Sequence, residues 1–136
     1  MNEVKKVVTP EAGGGNSKFT EYVTTVSAFP LNTILVNVWD YDNSWNVSIS
    51  ENGKELEVTK AYTYDPAHIM ALTAPRCKAT ASPNFMTVKW PHFFQARASS
   101  TNSAITVTVT DRNGNKYTET MSRPKAFTLS DYKNQY

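Results

Sequence analysis

Asp40 and Asp42, two residues apart with Asn43 beside them, are the oxygen donors in this chain best spaced to hold a cation. A calcium ion takes about six to eight oxygens, and the Gly-plus-Glu frame of an EF-hand loop is missing around this pair. Carboxylates in a short polar segment more simply cap backbone amides. His68 and His92 are the chain's histidines, and a zinc or transition-metal site would have to pair them with residues such as Asp65 and Cys77. Zinc needs about three or four ligands at characteristic spacing, and no such spacing links these residues. The Gly-x-Ser-x-Gly elbow of a serine hydrolase does not occur. The Gly13-Gly14-Gly15 run lacks the Lys-Ser/Thr that would make it a phosphate loop. Cys77, an isolated thiol, reads as a small apolar group rather than a nucleophile. No catalytic residue and no metal ligand emerges from these patterns.

Aromatic residues offer the better case for recognition. Trp39, Tyr41 and Trp45 surround one acidic turn, and Trp90 and His92 lie close together further on. Aromatic faces beside Asn and Asp suit sugar rings and other ligands with an apolar side and hydroxyl edges. Trp45 is in phase with Val47 and Ile49 and reads as core, whereas Trp39 is out of phase with Ile34 and Val36 and reads as exposed. The candidate binding residues are therefore Trp39, Asp40, Tyr41, Asp42, Trp90 and His92.

The elements that must carry these residues are strands. In Thr33 to Trp39, Ile34, Val36 and Val38 share one face; Trp45 to Ser50 alternates in the same way. Asn52-Gly53 between alternating runs is a strong hairpin signal, with Leu56 and Val58 continuing the inward face of the return strand. Pro66, Pro75 and Pro83 then break the pattern from Tyr62 to Val88, with Asp65 and Pro66 placed to start one or two helical turns. Alternation resumes at His92, where Phe94, Ala96 and Ala98 oppose Phe93, Gln95 and Arg97. Ala104 to Thr110 is the clearest strand, Asp111 to Gly114 a second hairpin turn, Asn115 to Met121 its return, and Ala126 to Leu129 a last strand candidate. The expected fold is all-β: an antiparallel β-sandwich, immunoglobulin-like or similar, of about seven strands with a long proline-broken loop. Residues 1–32 read as a lead-in or linker with edge-strand candidates, and 33–136 as the sandwich domain.

Bulk properties agree. A chain of 136 residues suits one domain, and its 12% aromatic content, with abundant Thr and Val, favours strands. A net charge of +2 with scattered Lys and Arg is too weak a field to argue for nucleic acid or an anionic membrane. No run approaches the length of a membrane helix, and no basic-then-apolar targeting segment opens the chain, so no membrane insertion is expected.

Several of these segments together resemble a known family. Asn37-Val38-Trp39-Asp40-Tyr41-Asp42, Trp45, Glu51-Asn52-Gly53-Lys54 and Tyr64-Asp65-Pro66 are similar to the C-terminal domain of bacterial calcineurin-like phosphoesterases. His92-Phe93-Phe94-Gln95-Ala96 and the run from Val109 to Met121 fit the same pattern, so the resemblance covers roughly Thr33 to Leu129. In that family catalysis belongs to a preceding domain whose Asp-x-His, Gly-Asp, Gly-Asn-His and Gly-His-x-His blocks bind two divalent metal ions. None of these blocks occurs here, so the resemblance transfers no catalytic residue and implies no cofactor in this chain. It implies a non-catalytic accessory sandwich whose partner is the catalytic phosphoesterase domain of the same parent chain. It also implies an exported bacterial parent, periplasmic or at the cell surface, whose targeting segment lies outside this chain. The alternative reading is an independent module that binds a carbohydrate or a cell-envelope polymer.

Overall fold

A computed structural model describes residues 24–25, 28–68 and 88–124. These residues are nearly all β: seven strands, β1 (Thr33–Asn37), β2 (Asn46–Glu51), β3 (Lys54–Glu55), β4 (Thr59–Thr63), β5 (Trp90–Arg97), β6 (Ile105–Thr110) and β7 (Lys116–Met121). They form two antiparallel sheets, ordered β1-β5-β4 and β3-β2-β6-β7, so the expected β-sandwich is present. The described residues group into two compact units. One comprises 32–62 with 91–124 and carries both sheets except for Thr63 at the end of β4 and Trp90 at the start of β5; the other contains 24–25, 28–31, 63–68 and 88–90.

Registers follow the sequence alternation. Ile34 pairs with Ala96 and Val36 with Phe94, while Ile49 pairs with Val107 and Glu51 with Ile105. Directly opposed residues point to the same side of a sheet. Each sheet thereby turns an apolar row inward, and Ile34, Ile49, Ala96, Ala98 and Ile105 form the buried core. Ile49 and Ile105 have no exposed surface at all. Outward rows carry hydroxyls: Thr106 bonds Thr120 at 3.1 Å and Thr108 bonds Thr118 at 3.3 Å across β6 and β7.

The turns obey their chemistry. Asn52 and Gly53 link β2 to β3 with φ of 49° and 82°, the paired left-handed conformation of a type I′ hairpin. The β6–β7 turn is closed by Gly114 N–H donating to Asp111 O at 3.1 Å, and Gly114 takes φ 83°. That is a type I turn followed by a left-handed residue. Asp65 caps the short helical turn Pro66–His68, its Oδ1 accepting from Ala67 N–H at 2.9 Å and His68 N–H at 3.3 Å.

Three features depart from the sequence reading. The return strand β3 ends at Glu55; Leu56 and Val58 pack against the core from the passage that carries the chain over to the other sheet. The strand β4 runs through Tyr62 into Thr63, where only a broken pattern was expected. Its inward positions are Ala61 and Thr63, too small and too polar to register as an apolar row. Phe93, expected opposite the core-facing row, is 2% exposed, so β5 is covered on both faces. The last strand candidate, Ala126 to Leu129, lies outside the described residues, as do Cys77, most of the lead-in and most of the proline-broken loop.

Candidate functional site

The turn between β1 and β2 is built by its own polar side chains. Val38 N–H donates to His92 O at 3.1 Å, carrying the β1–β5 pairing one residue past the strand. Asp40 then turns the chain with φ 53°, a left-handed conformation that Asp tolerates better than most residues. Asp42 Oδ1 accepts from Ser44 N–H at 2.8 Å and from Ser44 Oγ at 2.5 Å, and Trp45 N–H closes the turn on Asp42 O at 2.9 Å. The Ser44 hydroxyl, followed by its amide, holds the Asp42 carboxyl below the usual range. Asp42 thus acts as a turn cap. Among the described residues, no group of three or more His, Cys, Asp or Glu could hold a metal ion.

On this frame the aromatic side chains divide. Trp39 is 68% exposed, its ring 5.7 Å from the imidazole of His92 and tilted by 37°. His92 is half-buried, with Nδ1 2.7 Å from Asn37 Oδ1. Tyr41 packs edge-on against Phe94 at 4.8 Å, and Lys60 Nζ stands 4.7 Å over the Tyr41 ring while donating to Asn43 Oδ1 at 3.1 Å. Asp40 and Asp42 are exposed on the turn, on either side of Tyr41 in sequence. Trp90 is also exposed, but it belongs to the other compact unit. The structure therefore brings together Trp39 and His92, and sets Tyr41 apart with Lys60 and Phe94.

Sequence reasoning missed the larger feature. Between β1 of one sheet and β6–β7 of the other lies an open cleft of about 640 Å³. Ile34, Val36, Ile105 and Val107 contribute its apolar floor, and Trp39, Trp45, Tyr117, Glu119 and Met121 line it as well. Trp45, read as core, is half-buried there because the cleft stays open beside it. Tyr117 is 60% exposed. The signal was in the alternation of Tyr117, Glu119 and Met121, which the register sets opposite Val109, Val107 and Ile105. A volume of this size falls in the range of ligand and anchor pockets.

A second missed residue is Glu51. Its carboxylate accepts from Ser99 N–H at 2.9 Å and 3.1 Å, from Ser100 N–H at 3.3 Å and from the Ser103 hydroxyl. The Ser103 hydroxyl first, then the Ser99 amide, lowers its pKa to about 2. Arg123 Nη1 braces the same loop, donating to Ser100 O at 2.9 Å and Ser103 Oγ at 3.3 Å. This node fixes the connection between β5 and β6, and so the strand that floors the cleft.

These arrangements offer aromatic and apolar contact surface together with structural carboxylates. The family model described as the C terminal of calcineurin-like phosphoesterase matches residues 13–117, well over half of the chain. The chain belongs to that family. No curated protein and no solved structure matches it. The motif resemblance is thereby borne out, although the family match begins further upstream, at residue 13, and ends at Tyr117 on β7. Domains of this family are the non-catalytic C-terminal parts of phosphoesterases, which carry a catalytic domain in the same chain.

Proposed function

We propose that this calcineurin-like phosphoesterase C-terminal domain packs on the catalytic domain of its parent chain and shapes substrate access there. The observation that supports this reading is the open cleft beside β1, with Trp39 and Tyr117 exposed at its lining. Tryptophan and tyrosine are the side chains that most often anchor protein interfaces, and interface centres are poor in serine. The outward face of β6 and β7, a ladder of threonine hydroxyls, is suited to water instead. The division of surfaces favours the cleft as the docking face.

The test uses the parent protein with and without substitutions in this domain. Trp39→Ala and Tyr117→Ala should loosen the contact, increase protease sensitivity between the domains and change KM for large substrates more than for small ones. Unchanged protease sensitivity and unchanged kinetics in the double variant would remove the support for docking through this cleft.

A carbohydrate or envelope-polymer role is the second reading, favoured by Trp39 lying over His92 with Asn37 at its edge. An exposed indole beside polar groups can stack on a sugar ring. A glycan array with Trp39→Ala as control separates the two readings, since docking predicts no glycan signal.

A further inference from the structure

Two Asn-Gly pairs occupy exposed hairpin tips, Asn52-Gly53 and Asn113-Gly114. Asparagine is thermally labile, and most so before glycine, where no side chain shields the next amide nitrogen. That nitrogen gives up its proton to solvent base and attacks the Asn Cγ; the Cγ–Nδ2 bond breaks and ammonia leaves. The resulting succinimide takes up one water at either carbonyl, giving aspartate or isoaspartate. No oxidant or other reactant is consumed.

The two pairs are held differently. Asn52 donates its N–H to Ala104 O at 3.1 Å and accepts from Ala104 N–H through Oδ1 at 3.3 Å. It sits at φ 49°, and the residue before it is the buried Glu51, bonded to Ser99, Ser100 and Ser103. Cyclisation at Asn52 must detach the carboxamide from Ala104 and move the backbone out of the left-handed region. Asn113 donates its N–H to Asp111 Oδ1 at 2.8 Å, and its carboxamide makes no hydrogen bond among the described residues. The attacking Gly114 nitrogen there is engaged in one local turn bond, to Asp111 O at 3.1 Å. Opening that bond disturbs a surface turn and nothing beyond it.

We infer that Asn113 is a spontaneous deamidation site of this domain and that Asn52, in the same dipeptide, is protected by its two bonds to Ala104. Isoaspartate at 113 lengthens the main chain by one methylene and puts a second carboxylate two residues from Asp111. The Asp111 carboxylate gathers Asn113 N–H, Asn115 N–H and Asn115 Nδ2, so the β6–β7 turn is the part that loosens.

The experiment holds the full chain at mildly alkaline pH and body temperature, then maps peptides by mass and chromatography for aspartate and isoaspartate. The Asn113 peptide should convert several-fold faster than the Asn52 peptide, and in concentrated urea the two rates should converge. Asn113→Gln should abolish the faster conversion. Equal rates in native buffer, a faster Asn52, or a preference that persists unchanged in urea would each overturn the assignment.

Discussion

The carboxylate of Glu51 and the backbone amide of Ser99, forty-eight positions apart in sequence, meet at 2.9 Å. Through them the end of β2 is tied to the loop that leads into β6. The folded-state pKa of about 2 lies below the ordinary 4.5, so the unfolded chain binds this proton more tightly. The stabilisation is therefore complete above about pH 4.5 and is lost as pH falls towards and through 2. Glu51→Gln should lower Tm at neutral pH and flatten the acid limb of the Tm–pH profile in that window. Parallel profiles for the two proteins would contradict the assignment.

At the hairpin tips, Gly53 and Gly114 take φ of 82° and 83°, and a Cβ added to either would meet nothing within 4 Å. The cost of alanine is therefore torsional. Gly53→Ala and Gly114→Ala should each lose about 1–2 kcal/mol in urea unfolding. A loss much larger than this would mean the tips are packed against something.

Trp39 and Ile49 should behave as opposites in the isolated domain. Ile49 has no exposed surface, so Ile49→Ala should cost about 2–5 kcal/mol. Trp39→Ala, at 68% exposed, should stay within about 0.5 kcal/mol of wild type. Chemical denaturation of the two variants checks both values.

Calcium should not stabilise the domain. One oxygen of Asp42 is already committed to Ser44, and Asp40 is itself the left-handed residue that turns the chain. Millimolar calcium should leave Tm unmoved in differential scanning calorimetry; an upward shift that saturates with calcium would reinstate the Asp pair as a site.

Thr63 is 2% exposed and its Oγ1 has no hydrogen-bond partner among the described residues. Replacing an unsatisfied hydroxyl by a methyl group of the same shape removes a desolvation penalty. Thr63→Val should gain up to about 1 kcal/mol. A clear loss of stability would reveal a partner for the hydroxyl.

The parts legible in the sequence were those in which one residue type dictates one geometry. Ile105, Val107 and Val109 alternate with threonines and can only be a half-buried strand; Asn52-Gly53 can hardly be anything but a tight hairpin. The Asp42 turn was legible for the same reason, since Asp and Ser bond their nearest backbone. What escaped depended on distance. The strand β4 hides because Ala61 and Thr63 carry little apolar signal, their burial being decided by neighbours elsewhere in the chain. Glu51 looked like a turn residue because its partners lie almost fifty positions away. The cleft needed two sheets and a register, none of which a local pattern contains.

Glu119 is the feature of that cleft with the widest consequence. On β7, the outermost strand of its sheet among the described residues, it stands on the cleft side opposite Val107 and is exposed there. A neighbouring molecule that laid a strand along this edge would press its own side chains against a carboxylate and strip that charge of water. An uncharged edge would impose no such penalty. The surface that exposes Trp39 and Tyr117 thus also carries a charge set against edge-to-edge pairing.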